Sequence, residues 1–384
     1  MTQLDAPQDN GNAAVPGTPA NPPTTRASLR QQRRRAGRTR TWWIVGVVAA
    51  VAVAAGATIG IVASSSASPP AKPPPAASTN TPAGLIDRSH NFPSPYVLTG
   101  GSKDYLYTGG NAPGKGLLVP VRSFTSLNHL STATNAMPTV PPGSWGWVWT
   151  ADVQKAASGY AMWFTTQYPA RLNPEGVPNQ CIGNATSSSP LGPFTPSSGP
   201  IICQTWGSID PRSVIAPDGT HYLIWKADTN ADKAAVIPTT IWEQQLAPNG
   251  ITLLGSPRLI ATATQPWEGA LAESPDMVDL GGTYYLFFSG NTSLGANNGV
   301  GMMTCTSIQG PCNDIRTAAF IGSNSQGTGP GEESLFQQNG NTWLLYSPNA
   351  IFGTYYFRPL AVARVVAGTH GPYVAAFHGA VPGV

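Results

Sequence analysis

The sequence predicts an all-β chain folded as a five-bladed β-propeller, preceded by a disordered N-terminal tail and one transmembrane helix. Three observations predict it. Five segments repeat one pattern: an acidic or small polar residue, a short apolar strand, a Gly or Asn turn, then an aromatic-rich strand. They are Ser94-Pro95-Tyr96-Val97-Leu98 leading to Tyr105, Asp152-Val153 leading to Tyr160, Asp210-Pro211 leading to Tyr222, Glu273-Ser274-Pro275 leading to Tyr285, and Glu332-Glu333-Ser334 leading to Trp343. Those aromatic positions lie 55, 62, 63 and 58 residues apart, a period left by sheets repeated around an axis. With 42 Gly, 38 Pro and only 10% charged residues, the composition favours short strands and tight turns over helices. The first strand of each blade then lines a central channel, and carboxylates far apart in sequence converge at its mouth.

Residues 1–41 read as a disordered cytoplasmic tail. They hold too little apolar content to offset chain entropy, and they end in a cluster of Arg26, Arg30, Arg33, Arg34, Arg35, Arg38 and Arg40. Residues 42–63 follow without a charge. As a helix they would span roughly 33 Å, matching a bilayer core. Arginines before the span hold that side in the cytoplasm, with Trp42 and Trp43 at the interface, so the rest of the chain is expected outside the cell. The alternative is secretion after cleavage near residues 64–68, where small residues cluster. Residues 64–82, rich in Pro and Ser, form a linker, and residues 83–384 form the propeller. Residues 1–82 carry a net +6 and the remainder −3, so the propeller is no nucleic-acid binder by charge.

Within the propeller, Thr283 to Phe288 and His221 to Trp225 are Gly-bounded runs of strand-forming residues. Thr186 to Phe194 and Thr304 to Cys312 share a Ser-x-x-Gly-Pro turn 118 residues apart, which places equivalent turns two blades from each other. The four cysteines allow three pairings. Cys305 and Cys312 flank one of these turns, making a hairpin cross-link the natural choice and leaving Cys181 with Cys203. No cysteine or histidine spacing supports zinc, and no Gly-x-Ser-x-Gly elbow supports a serine hydrolase.

The segments Trp149 to Val153, Ile209-Asp210-Pro211, Ala272-Glu273-Ser274-Pro275, the Ser-Pro-Leu-Gly-Pro-Phe turn and Gly329-Pro330-Gly331 resemble glycoside hydrolase family 43 in order and spacing. The resemblance covers about residues 85 to 350. It implies a five-bladed propeller of the arabinanase, arabinofuranosidase and xylosidase type, cleaving by inversion with three acidic groups. By motif, Glu273 is the general acid and Asp210 the group that modulates its pKa. The first blade departs from the family: Phe92-Pro93-Ser94-Pro95 stands where the family has Phe-Pro-Asp-Pro, so Ser94 marks the position of a missing general base. Asp87, Asp104 and Asp152 are candidate substitutes. The fifth blade departs too, with Gly329-Pro330-Gly331-Glu332 where the family has Gly-Pro-Gly-His. Glu332 could there ligate Ca²⁺, serve as a displaced base, or be a solvated turn acid.

Trp206, Trp149 and Asp152 are expected to touch substrate. Trp145, Trp147 and Trp149 alternate along one strand face, where flat rings can stack on sugars. Asp276, three residues beyond Glu273, is expected at the blade edge. No cofactor is required, and Ca²⁺ could sit in the central channel. The expected protein is a monomeric, membrane-anchored extracytoplasmic hydrolase of arabinan- or xylan-type polysaccharides or oligosaccharides. The alternative is a catalytically impaired propeller that binds cell-envelope or plant glycans.

Overall fold

Short apolar runs bounded by glycine and asparagine close here into five antiparallel sheets. The protein is seen as a computed structural model that describes residues 84–87, 90–111, 114–232, 236–293, 295–324, 327–352 and 355–375. The expected tail, membrane helix and linker lie outside the described residues. Among those described, no helix is long and apolar enough to cross a membrane.

Blade one consists of Tyr96–Leu98, Asp104–Tyr107, Pro120–Phe124 and Thr134–Asn135, paired in chain order. Blade two runs through Trp149–Lys155, Tyr160–Leu172, Pro178–Ser187 and Thr195–Pro196. Blade three runs through Ser208–Ile215, His221–Ala227, Thr240–Leu246 and Leu253–Thr262, and blade four through Ala272–Asp279, Tyr284–Gly290, Gly299–Cys305 and Cys312–Asp314. Blade five differs in its outer edge. Thr328–Gln338, Asn341–Phe352 and Leu360–Val366 are joined there by Gly84–Asp87 from the other end of the domain, with Gly84 opposite Val362. The first and last parts of the domain thus share one sheet and close the ring. Repeat spacing predicts the five blades; the contribution of residues 84–87 to the last one leaves no periodic signal.

Each of the five hydrophobic clusters is one inter-blade interface. Tyr107, Val121 and Phe164 join blades one and two; Trp163, Ile182 and Trp225 join two and three; Ile224, Leu286 and Phe288 join three and four. Phe287, Val300 and Leu344 join four and five, and Phe92, Leu106, Trp343 and Leu345 join five to one. Burying one such side chain stabilises the fold by roughly 1.5–3 kcal/mol, so the ring is held by what lies between blades as much as by pairing within them.

The two Ser-x-x-Gly-Pro turns belong to blades two and four, as the sequence repeat predicts, and both Gly-Pro bonds are cis. Gly192 and Gly310 adopt φ of 83° and 69°. A Cβ on Gly192 would meet the Ala136 carbonyl oxygen at 2.1 Å, and one on Gly310 would meet Ile260 Cβ at 2.8 Å. Each turn therefore presses against the preceding blade, a close approach that requires glycine. Cys305 is bonded to Cys312 and Cys181 to Cys203, the pairing expected from spacing. Replacing Cys305 and Cys312 together by alanine is expected to lower stability by roughly 2–3 kcal/mol through the freed loop. Denaturant unfolding under non-reducing conditions measures it, and an unchanged midpoint would contradict that share.

Candidate active site

A shared irregularity builds the channel mouth. Ser94, Thr150, Asp210, Ser274 and Glu332, one per blade, all adopt the left-handed conformation, with φ of 46°, 45°, 55°, 50° and 54°. In blades two to five the ladder register also breaks there, between Trp149 and Asp152, Ile209 and Arg212, Glu273 and Asp276, and Gly331 and Ser334. The conformation costs a non-glycine residue about 1–2 kcal/mol. Side-chain bonds running around the mouth offset it, and such strain concentrates at functional sites.

Thr150 Oγ1 donates to Asp210 Oδ1 at 2.9 Å, and the Ser274 amide donates to Asp210 Oδ2 at 3.0 Å. The Asp210 amide donates to Thr165 Oγ1 at 3.0 Å. Asp210 thus bridges blades two, three and four. Burial, and next the charge of Glu273, push its carboxyl up to about 6; Lys226, the Ser274 amide and the Thr150 hydroxyl pull the other way. Glu273 occupies the position just before the left-handed residue of blade four, half-buried at the rim. Its Oε2 accepts from Lys226 Nζ at 2.9 Å, and Lys226 also lies 3.0 Å from Asp228 Oδ1. Burial opposes the charge on Lys226, but Glu273, Asp228 and Asp210 outweigh it and raise its pKa. Lys226 and Asp228 escape the sequence reading. The available signal is a lysine inside the buried run Ile224-Trp225-Lys226-Ala227, where an unpaired one is rare.

At Ser94, the expected gap in charge holds a carboxylate after all. Glu332 Oε2 accepts from the Ser94 amide at 2.6 Å and from Ser94 Oγ at 3.1 Å. Glu332 Oε1 lies 2.9 Å from Arg358 Nη1. The two departures noted in blades one and five therefore touch.

Two expectations are corrected. Asp152, expected at the substrate, is fully buried. The residue of blade two that matches Asp210 is Thr150, and Asp152 lies two positions deeper, level with Arg212 and Asp276. Its Oδ2 accepts from the Ser213 amide at 3.0 Å and from the Ser213 hydroxyl. Asp276, expected at the blade edge, faces the channel instead. Arg212 lies between the two, 3.9 Å from Asp152 Oδ1 and 3.7 Å from Asp276 Oδ2, with its guanidinium 5.0 Å from the Tyr96 ring centre. Burial raises Asp152 to about 7 and Asp276 to about 6 despite the guanidinium.

Trp149 is half-buried at the rim, in the position matching Glu273, and meets Trp147 edge-on with ring centres 5.8 Å apart. Trp147 and Trp145 are 51% and 56% exposed, but both precede the strand, which begins at Trp149, and Gly146 between them adopts a φ of 76°, so the three do not form the single strand face expected. Trp206 is half-buried in the turn before Ser208–Ile215. Asp104 is buried, bonded to the Gly100 amide and to Gln338, and the side chain of Asp87 lies outside the described residues. A guanidinium holds the level of Asp152 and Asp276, and no group of three metal-ligating side chains occurs among the described residues.

The arrangement can place a proton donor, Glu273, beside a carboxyl held by the Thr150 hydroxyl and by the Ser274 amide and hydroxyl, with a further carboxylate, Glu332, in the neighbouring blade. The sequence model of Glycosyl hydrolases family 43 matches residues 89–363. Among solved structures, the chain resembles a thermostable family-43 glycoside hydrolase at 21% identity, covering 79% of this chain and 99% of that one, with a TM-score of 0.68. An α-L-arabinofuranosidase from Lactobacillus brevis is similar at 17% identity, covering 78% and 98%, with a TM-score of 0.63. A Bacillus subtilis arabinanase is similar at 18%, covering 74% and 98%, with a TM-score of 0.56. No curated protein matches.

Proposed function

The chain belongs to Glycosyl hydrolases family 43, and from that premise we propose that it cleaves arabinan- or xylan-type polysaccharides or oligosaccharides by inversion, outside the cell, anchored through residues 42–63. The observation that carries the reading is the Glu273–Asp210 pair, joined through the Ser274 amide at the channel mouth. Glu273 protonates the glycosidic oxygen as the bond to the anomeric carbon breaks, while water attacks that carbon from the opposite face. Lys226 occupies Oε2, which leaves Oε1 to carry the proton. Asp210 lies beside Glu273, whose charge is, after burial, the largest cause that raises Asp210. Exposed Trp147, edge-on to Trp149, provides a stacking face for sugar rings.

The test is to incubate the protein with linear arabino- and xylo-oligosaccharides and follow the first-formed anomer by NMR. Inversion is expected. Asp210→Asn removes the carboxylate beside Glu273, so the rate should drop. A retained anomer would exclude this mechanism. Ser94 at the base position favours the second reading, a propeller that binds glycans without turning them over; affinity with no cleavage of any oligosaccharide would establish it.

A further inference from the structure

Water activation needs a carboxylate on the side of the sugar away from Glu273, and Ser94 cannot supply one. We propose that Glu332 is the general base, so that the carboxylate missing from the first blade has been relocated to its neighbour. This inference rests on the hydrolase reading above.

Ser94 and Glu332 hold the same position in adjacent blades, each at the left-handed residue of the channel mouth. Glu332 Oε2 lies 2.6 Å from the Ser94 amide nitrogen and 3.1 Å from Ser94 Oγ. A carboxylate oxygen therefore stands within one hydrogen bond of where a side chain at position 94 ends. The Glu332 amide donates to Ser289 Oγ at 2.7 Å, and Ser289 is the cross-strand partner of Glu273. Glu332 is thus tied both to the blade that bears the acid and to the blade that lacks the base. Arg358 Nη1, 2.9 Å from Oε1, fixes the carboxylate plane. The side chain is 19% exposed, so water reaches it.

Two of the substitutes named from the sequence, Asp104 and Asp152, are spent or misplaced, and the side chain of the third, Asp87, lies outside the described residues. Asp104 is bonded to Gly100 and Gln338, and Asp152 is sealed beneath the rim against Arg212 and Ser213. Asp228 faces Lys226. In the proposed step, Glu332 Oε2 takes one proton from water as the water oxygen bonds to the anomeric carbon. The bond from that carbon to the leaving oxygen breaks with its electron pair, and that oxygen receives the proton of Glu273. Glu332 ends protonated and Glu273 ionised, and exchange with solvent restores both. Ser94 is a positioning residue: its amide holds Oε2 permanently, while its hydroxyl is a rotor that can yield its place to the water.

The experiment compares full-length wild type, Glu332→Gln, Ser94→Asp and the double variant on arabino- and xylo-oligosaccharides, with thermal melting of each. Glu332→Gln should lose about 10²- to 10⁴-fold in kcat with little change in KM. Azide should restore turnover in that variant and yield a glycosyl azide of inverted configuration, which a merely structural clasp would not produce. Ser94→Asp should slow the wild type, because two carboxylates then touch, yet speed the Glu332→Gln variant. Undiminished turnover by Glu332→Gln would overturn the proposal and leave the hydrolase reading intact, as would a loss that neither azide nor Ser94→Asp repairs. If Glu332→Gln does not fold, Ser94→Asp in the wild type decides alone: a faster enzyme means the base was absent and the proposal is wrong. A wild type inert on every oligosaccharide would sink this proposal and the hydrolase reading together.

Discussion

Glu273→Gln is expected to lower kcat on unactivated oligosaccharides by about 10² to 10⁴, with KM little changed. The amide preserves the shape of the side chain and can still meet Lys226, but it has no proton to give to the leaving oxygen. Leaving groups that need no protonation separate this loss from a packing defect: on a p-nitrophenyl glycoside the deficit should shrink markedly. Steady-state kinetics on both substrate types measures it. Equal loss on both would mean that Glu273 binds or orients rather than donates, and turnover within a few-fold of wild type would move the acid elsewhere.

Arg212→Met is expected to destabilise the fold by about 3–5 kcal/mol at pH 7, the usual cost of removing one partner from a buried ionic cluster. Methionine keeps an apolar stem but leaves Asp152 and Asp276 facing each other beneath the rim without their cation. Both carboxyls titrate above their ordinary value even with Arg212 present, at about 7 and about 6. Such groups contribute most when protonated, below the unfolded value near 4, and that contribution is lost as pH rises through 6 to 7. Without the guanidinium the loss deepens. The gap between variant and wild type should therefore be widest near pH 7 and narrow towards pH 5, where protonation removes the repulsion. Denaturant titrations at the two pH values measure it, and a gap independent of pH would point to lost packing against Tyr96 rather than to charge.

What the sequence reveals and what it conceals divide at the left-handed rim residues. Blade number, strand positions and both disulfides follow from a period near sixty residues and from two Gly-Pro turns, all local patterns. Asp210 and Glu273 are legible because each sits in a short motif beside proline. Blade two has Ala151 where blades one, three and four have Pro95, Pro211 and Pro275. Without that marker Asp152, the acidic residue, looks like the match to Asp210, when Thr150 is. The bulge shifts the alternation of side chains, so a displacement of two residues turns a rim residue into one buried under the rim. Lys226 and Arg358 stay hidden for another reason. Their partners Glu273 and Glu332 lie on neighbouring elements, and proximity across a ring is not written in any local pattern. Ser94 and Glu332 each look like a loss when read alone, and only their contact makes them one change.

The outer strand of blade five carries a consequence for biosynthesis. Residues 84–87 leave the ribosome at the start of the domain, but their partner, Leu360–Val366, is made at its end. Through the whole of translation this first strand has no ladder to join, and the Phe92 amide waits as long for the Arg358 carbonyl. The two ends can meet only after every intervening blade exists, at the largest loop-closure entropy the domain has to offer. A chain cut short before residue 360 would be released as an open arc, with unpaired strand edges at both ends available to other chains. Emergence of Leu360–Val366 is thus itself the event that seals the ring.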